Sequence, residues 1–173
     1  MPKKTEEITD EQIEEFDIIL KKNKLEEFLR GKGLPYKEVE TNGEYSVVVP
    51  CEIADKVFKI ILQFDENWLM LTAKIIDPVE FADKAEELQF YRRLLREIHD
   101  LPEINYSISE DGAVYSSADM DFEITDYSVF YSEFFGIEYA INNFVERIAP
   151  DFNLTVEGFA EDPDVKDLAQ ESE

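Results

Sequence analysis

The apolar positions of this chain change their period several times, and each change marks a new element. Near the start the spacing is helical: Ile13, Phe16, Ile19 and Leu20 share one face, and Leu25, Phe28 and Leu29 form a second, shorter one. Thr9 with Gln12 reads as a capping box opening the run, and Asn23 with Glu26 repeats the signal. Gly31 and Gly33 supply the stop, because glycine readily takes the left-handed conformation after a last turn. The pattern predicts one broken helix or two short ones.

From Tyr36 the period falls to two. The β-prone runs Tyr36 to Thr41 and Glu44 to Val49 flank Asn42 and Gly43, a pair suited to the positive φ angles of a tight hairpin. Between Lys56 and Phe64, Phe58, Ile60, Leu62 and Phe64 point one way. After a turn at Asp65, Glu66 and Asn67, the next strand runs from Trp68 to Ile76, with Leu69, Leu71, Ala73 and Ile75 on one face. Its other face carries Trp68, Met70 and Ile76. An antiparallel meander with one side packed on helices accounts for this alternation.

Asp77, Pro78 and Glu80 have the chemistry of a helix start, a capping Asp with Pro at the first helical position. That helix is expected to reach about Asp100, with Ala85, Leu88, Tyr91, Leu95 and Ile98 as its apolar stripe and Pro102 beyond it. Ile104, Tyr106 and Ile108 alternate, Asp111 and Gly112 turn the chain, and Val114 to Phe122 returns. A last helix starts near Asp126 and runs to about Ala149, ended by Pro150. The fold class predicted is α+β: a mostly antiparallel sheet of five or six strands, helices on one face, in the order α-β(3-4)-α-β-β-α. Residues 1–34 form an N-terminal helical region, 35–150 the α+β domain, and 151–173 a flexible acidic tail.

Charge narrows the function. Forty-one Asp and Glu against 17 Lys and Arg leave a net charge of −24. Such a field repels nucleic acid and anionic lipid, whose recognition begins with phosphate neutralisation, so neither partner is expected. A hydrophobic share of 44% in 173 residues is enough for a real core without disulfides or metal. Cys51 is the only cysteine, which excludes an intramolecular disulfide and suits a reducing compartment. No apolar h-region follows the charged start, and no run approaches the roughly 18–20 apolar residues of a membrane span. A cytoplasmic location is the expectation.

No Walker loop, GxGxxG, HExxH, CxxC or GxSxG motif occurs, so no catalytic residue and no cofactor is assigned. Pairing the lone His99 with Cys51 as a nucleophilic couple has no local support. The last helix is loaded with aromatics. One stripe suffices to cover a sheet, while Tyr131, Phe135 and Tyr139 recur every four residues on an adjacent face. A subunit interface or peptide groove would use such residues, and a thick core is the ordinary alternative. Arg92, Arg93 and Arg96 are candidates for an acidic peptide or phosphate, with internal charge pairing as the alternative. Asp119, Asp121 and Glu123 fall two apart on a predicted strand, a weak candidate for Ca²⁺ or Mg²⁺. The EF-hand pattern fails there, since Ile124 stands where Gly is required and Phe130 where the closing Glu is required. Solvated acid on an exposed strand is the simpler account, and no metal site is assigned.

The segment from Phe90 through His99, the short strand Ile104 to Ser109, the turn at Asp111 and Gly112 and the acidic strand with Ala118 to Phe122 carry a family likeness. In this order they resemble the type III secretion chaperone-like fold, shared by the YbjN-like sensory transduction regulators. The likeness spans roughly Glu44 to Ala149. The N-terminal helical region, the added strand at Tyr36 and the acidic tail depart from it. It implies a small acidic α+β domain, often a homodimer, that binds protein or peptide and has no catalytic residues. Chaperone members hold a client segment on apolar patches, for which Tyr131, Phe135 and Tyr139, with Trp68 and Met70, are the candidates here. The function expected is therefore a non-enzymatic protein-binding module, chaperone-like or regulatory. The alternative is a small-ligand or divalent-cation sensor using the acidic strand face.

Overall fold

The computed structural model describes residues 10–41, 44–101 and 105–159. The chain divides into two compact units, Met1–Leu34 and Pro35–Glu173. The first contains helix α1 (Asp10–Gly31), which runs unbroken through Asn23. Ion pairs between Asp17 and Lys21 and between Glu26 and Arg30, four residues apart, bracket Asn23 and support the ladder across it. The helix ends in a Schellman turn: Gly33 takes φ +65° while the Leu34 N–H donates to Leu29 O and the Gly33 N–H to Arg30 O. Leu25, Phe28 and Leu29 are buried, whereas Phe16, Ile19 and Leu20 of the expected first face are exposed. Thr9, the expected cap, lies outside the described residues.

The second unit is a six-stranded antiparallel sheet with two helices. Strands β1 (Lys37–Thr41), β2 (Glu44–Ile53), β3 (Lys56–Asp65) and β4 (Trp68–Ile76) form the meander. Helix α2 (Lys84–Asp100), β5 (Tyr106–Ile108), β6 (Val114–Asp121) and α3 (Tyr127–Asn143) follow. The spatial order is β1-β2-β3-β4-β6-β5. Thr41 pairs with Glu44, so two residues connect the first hairpin; Asn42 and Gly43 themselves lie outside the described residues. Strand β2 extends past Pro50 to Ile53, further than its sequence suggests. β1 ends opposite Val48, so Pro50 needs a ladder partner only on the β3 side, where proline is tolerated. Ala54 and Asp55 close the β2–β3 hairpin with φ of 51° and 60°.

The alternation along the strands sets the core. Val47, Val49, Phe58, Ile60, Leu62, Leu69, Leu71, Ala73 and Ile75 are all buried on one face, and α3 lies across β2, β4 and β6 on that face. Phe130, Phe134, Ile137, Ile141 and Phe144 of the α3 segment complete the layer. Each such side chain adds roughly 1.5–3 kcal/mol by leaving water. After Asn143 the helix widens into one π turn (Phe144–Ile148) and then tightens into a 3₁₀ turn (Ala149–Phe152).

Two expected features of α2 are displaced. The helix begins at Lys84, not after Asp77. Asp83 accepts from the N–H groups of Ala85 (2.8 Å) and Glu86 (2.9 Å), and Glu86 accepts in return from the Ala82 N–H (2.9 Å). This reciprocal cap outcompetes Asp77, which instead binds the Lys74 ammonium at 2.7 Å. The buried stripe is Phe90, Leu94 and Glu97, while Leu88 and Leu95 are exposed. Phe90 wins the core because it stacks among Phe81, Tyr91, Phe144 and Phe152. Residues 151–159, assigned by sequence to the tail, also belong to the packed unit. Val156 is buried, the Phe159 N–H donates to Val57 O, and the Phe159 ring meets Phe58 edge-on and lies beneath Lys59 and Lys74. Residues 160–173 lie outside the described residues.

Candidate functional site

The second half of the unit is held together by a polar cluster that the sequence does not announce. Tyr106, on the core side of β5, donates to Ala140 O at 2.7 Å, and the Asn143 amide donates to Tyr106 Oη (3.2 Å) and to Glu97 Oε2 (3.0 Å). Burial is the main cause that holds the Tyr106 phenol well above its ordinary pKa, so it stays a neutral donor. Arg93 sits 2.8 Å from Glu97 through Nε and 2.9 Å from Asp151 through Nη1. Four segments are thereby fixed to one another: α2, β5, α3 and the 3₁₀ turn. The carboxylate of Glu97 is a buried charge with one ionic partner and one amide donor, the arrangement a buried charge requires.

With its core side fixed, α3 presents an opposite side to solvent. Asp126 caps the helix through the N–H groups of Ser128 (2.8 Å) and Val129 (3.0 Å). Positions four apart then form two neighbouring rows. One row is Tyr127, Tyr131, Phe135 and Tyr139; the other is Ser128, Ser132 and Gly136, and it turns into the core at Ala140. Tyr127 and Tyr131 meet edge-on at 4.1 Å between ring centres, and Tyr131 stacks on Phe135 at 5.8 Å. The small row lowers the surface beside the rings, leaving a shallow trough of about 330 Å³ lined by Ser128, Tyr131, Ser132, Phe135, Gly136 and Tyr139. Phe135 is 42% exposed and Tyr139 48%, whereas Tyr131 is 6% exposed. Tyr131 is therefore the underlayer of the row. Desolvation, then its hydrogen bond with Tyr127, raises its phenol pKa.

The five candidate contact residues do not form one surface. Leu69 and Leu71 face α3, so pleating turns Trp68 and Met70 to the other side of the sheet. Trp68, 47% exposed, stands directly across from Asp65 on β3 and Asp121 on β6, and Met70 across from Asp119. The aromatic trough and this Trp–Met platform thus lie on opposite sides of the domain.

The remaining candidates separate in the same way. Arg93 is committed to Glu97 and Asp151, while Arg92 and Arg96 are exposed. The three arginines therefore do not make one anion site. Asp119 and Asp121 share the outer strand face, but Glu123 lies beyond the end of β6, its N–H donating to the Asp121 carboxylate at 3.1 Å. Among the described residues, no group of three metal-ligating side chains converges. Cys51 is buried on β2 beside Glu138 of α3, and His99 is exposed. Desolvation, reinforced by the Glu138 carboxylate, raises the thiol pKa far above its usual range, the reverse of what a nucleophile requires. Glu138 is in turn raised by its own desolvation, with the Cys51 hydrogen bond opposing the shift. No described helix is long and apolar enough to cross a membrane.

The furrow of Ser128, Ser132 and Gly136 is the part of this candidate surface that the aromatic spacing did not point to. Its four-residue spacing, offset by one from the aromatics, was the available signal.

No family model matches the chain, so the YbjN-like likeness has no family-level support, and no curated protein matches it. Solved structures do match. A chain of the HopA1–SchA chaperone–effector complex aligns with TM-score 0.50 and 15% identity, covering 72% of this chain and 92% of that one. A chain of the ExoU–SpcU complex, from the type III secretion system of Pseudomonas aeruginosa, aligns with TM-score 0.47 and 10% identity, over 71% and 96%. An uncharacterised protein from Methanothermobacter thermautotrophicus aligns with TM-score 0.57 and 13% identity, over 76% and 99%. At these identities the likeness concerns the fold. The chain shares its α+β fold with the matched chain of the HopA1–SchA complex and with the Methanothermobacter protein.

Proposed function

We propose that this protein is a non-enzymatic polypeptide-binding module, a chaperone-like or adaptor domain whose contact surface is the aromatic row of α3. The observation that carries it is the exposed pair Phe135 and Tyr139 over the trough, on a helix whose other side already fills the core. Large aromatics left at the surface in one row are what interfaces use and what a free surface avoids. The fold likeness to a chain of a chaperone–effector complex supports the same reading. Apolar contact supplies the affinity, and the net charge of −24 keeps the complex dispersed and favours basic partners. Trp68 and Met70 offer a second contact area on the far side of the sheet.

The test is retention of a second polypeptide by the immobilised full chain from extracts of its own cells. Phe135→Glu and Tyr139→Glu are expected to lose it while the circular dichroism and melting temperature stay at wild-type values. Undiminished retention by both variants would remove α3 from the interface.

A further inference from the structure

Between Arg96 and Arg147 the chain has no lysine or arginine and twelve acidic residues. That block contains β5, β6 and all of α3. On α3 itself Glu133 lies beside the trough and the Asp126 cap stands at its start, while Glu138 is turned in toward the buried Cys51. The trough spans Ser128 to Tyr139, about 17 Å at 1.5 Å per residue, the length of three helical turns. Its relief is a ridge of rings four residues apart beside a furrow of small residues four apart, the pattern into which the i±4 ridge of a second helix interdigitates.

We infer that the occupant of this trough is a three-turn helical segment of another polypeptide, apolar on one face and lysine- or arginine-rich on its flanks. This rests on the binding-module reading and adds the partner's chemistry. The apolar face seats against Phe135, Tyr139 and the Ser132–Gly136 furrow. A basic flank meets Glu133 and, at the helix start, Asp126. A second copy of this chain is a poor occupant: α3 against α3 would bring Glu133 toward its own copy, with no lysine or arginine on either helix. Like charges brought together across an interface disfavour the wrong partner by several kcal/mol.

The experiment uses the full chain and two synthetic helical peptides of about 14 residues, long enough to span the trough. Both carry leucine on one face; one carries lysine on the flanks and its twin carries glutamate. Binding is read by fluorescence anisotropy at 0.15 M salt. The lysine peptide is expected to bind, with Phe135→Ala weakening it about 30-fold, the effect of losing one aromatic anchor. Ser132→Leu, which fills the furrow, is expected to weaken it similarly, and the glutamate twin to show no binding. Phe135→Ala leaves every charge in place, so non-specific attraction of a cationic peptide would not respond to it. Equal binding of the two peptides, or of wild type and Phe135→Ala, overturns the inference. So does a concentration-dependent homodimer in sedimentation that Phe135→Ala dissolves, which would make the trough a self-association face. A natural partner held by the wild-type chain and lost by Phe135→Glu, with no binding of the lysine peptide, would leave the binding-module reading standing and end this one.

Discussion

Removing Arg93 tests the account of how the second unit is held together. The guanidinium bridges Glu97 on its own helix and Asp151 beyond α3, at 2.8 and 2.9 Å. The Asp151 side chain is 53% exposed, so that contact resembles a surface pair worth at most about 1 kcal/mol. The Glu97 side chain is 12% exposed and is also bound by Asn143. Arg93→Ala therefore strands a nearly buried carboxylate, for which breaking a fully buried pair costs about 3–5 kcal/mol. Because Arg93 is 30% exposed and water enters with its loss, we expect about 2 kcal/mol. Glu97→Gln in the Arg93→Ala background removes the stranded charge while Gln still accepts from Asn143, so it should restore about half of the loss. Urea unfolding of the four members of this cycle at pH 7 gives the coupling directly, and the melting temperature of Arg93→Ala should fall by about 4–8 °C. A loss under about 0.5 kcal/mol, typical of a surface change, or a double variant no more stable than Arg93→Ala, would refute the reasoning.

Three further outcomes follow from named geometry. Ala54 and Asp55 both hold positive φ at the β2–β3 turn, so replacing them by Asn and Gly should stabilise by about 1–2 kcal/mol, read as a higher urea midpoint; an unchanged midpoint would contradict it. Gly158, at φ +74°, has Val57 O where a Cβ would lie 2.7 Å away, so Gly158→Ala should lower the melting temperature by several degrees and detach Phe159, while Gly33→Ala, with open space around it, should suffer only the backbone cost. Desolvation raises Glu138 above its usual 4.5, and a carboxylate raised in the folded state contributes stability below the unfolded pKa that is lost as pH rises through the folded one. Glu138→Gln should therefore be more stable than wild type at pH 7, with the advantage vanishing below about pH 4.5; an advantage independent of pH would contradict the cause.

The strand pattern was legible because one face of the sheet is buried and the other is not, so Phe58, Ile60, Leu62 and Leu69, Leu71, Ala73 declare their register. The sheet's length past Pro50 was not, since only the early end of β1 makes proline harmless there. Helix α2 misled because two capping signals lie six residues apart, at Asp77 and Asp83, and only the second finds its reciprocal Glu86. Its stripe misled because aromatic stacking around Phe90 and the Glu97–Asn143 bond outweigh the burial of Leu88 and Leu95. The aromatic row of α3 was visible from spacing alone. Its separation from Trp68 was not, because alternation along β4 gives two faces but not which one meets α3. The pairings of Cys51 with Glu138 and of Glu97 with Asn143 join residues 46 or more apart, and no local pattern encodes them.

Native mass spectrometry of the chain, captured gently from its own cells, tests the central claim most directly. The account predicts an assembly heavier than the 20.2 kDa chain by a stoichiometric second polypeptide, which Phe135→Glu releases while remaining folded. A bare monomer, or an assembly that Phe135→Glu leaves intact, would contradict it.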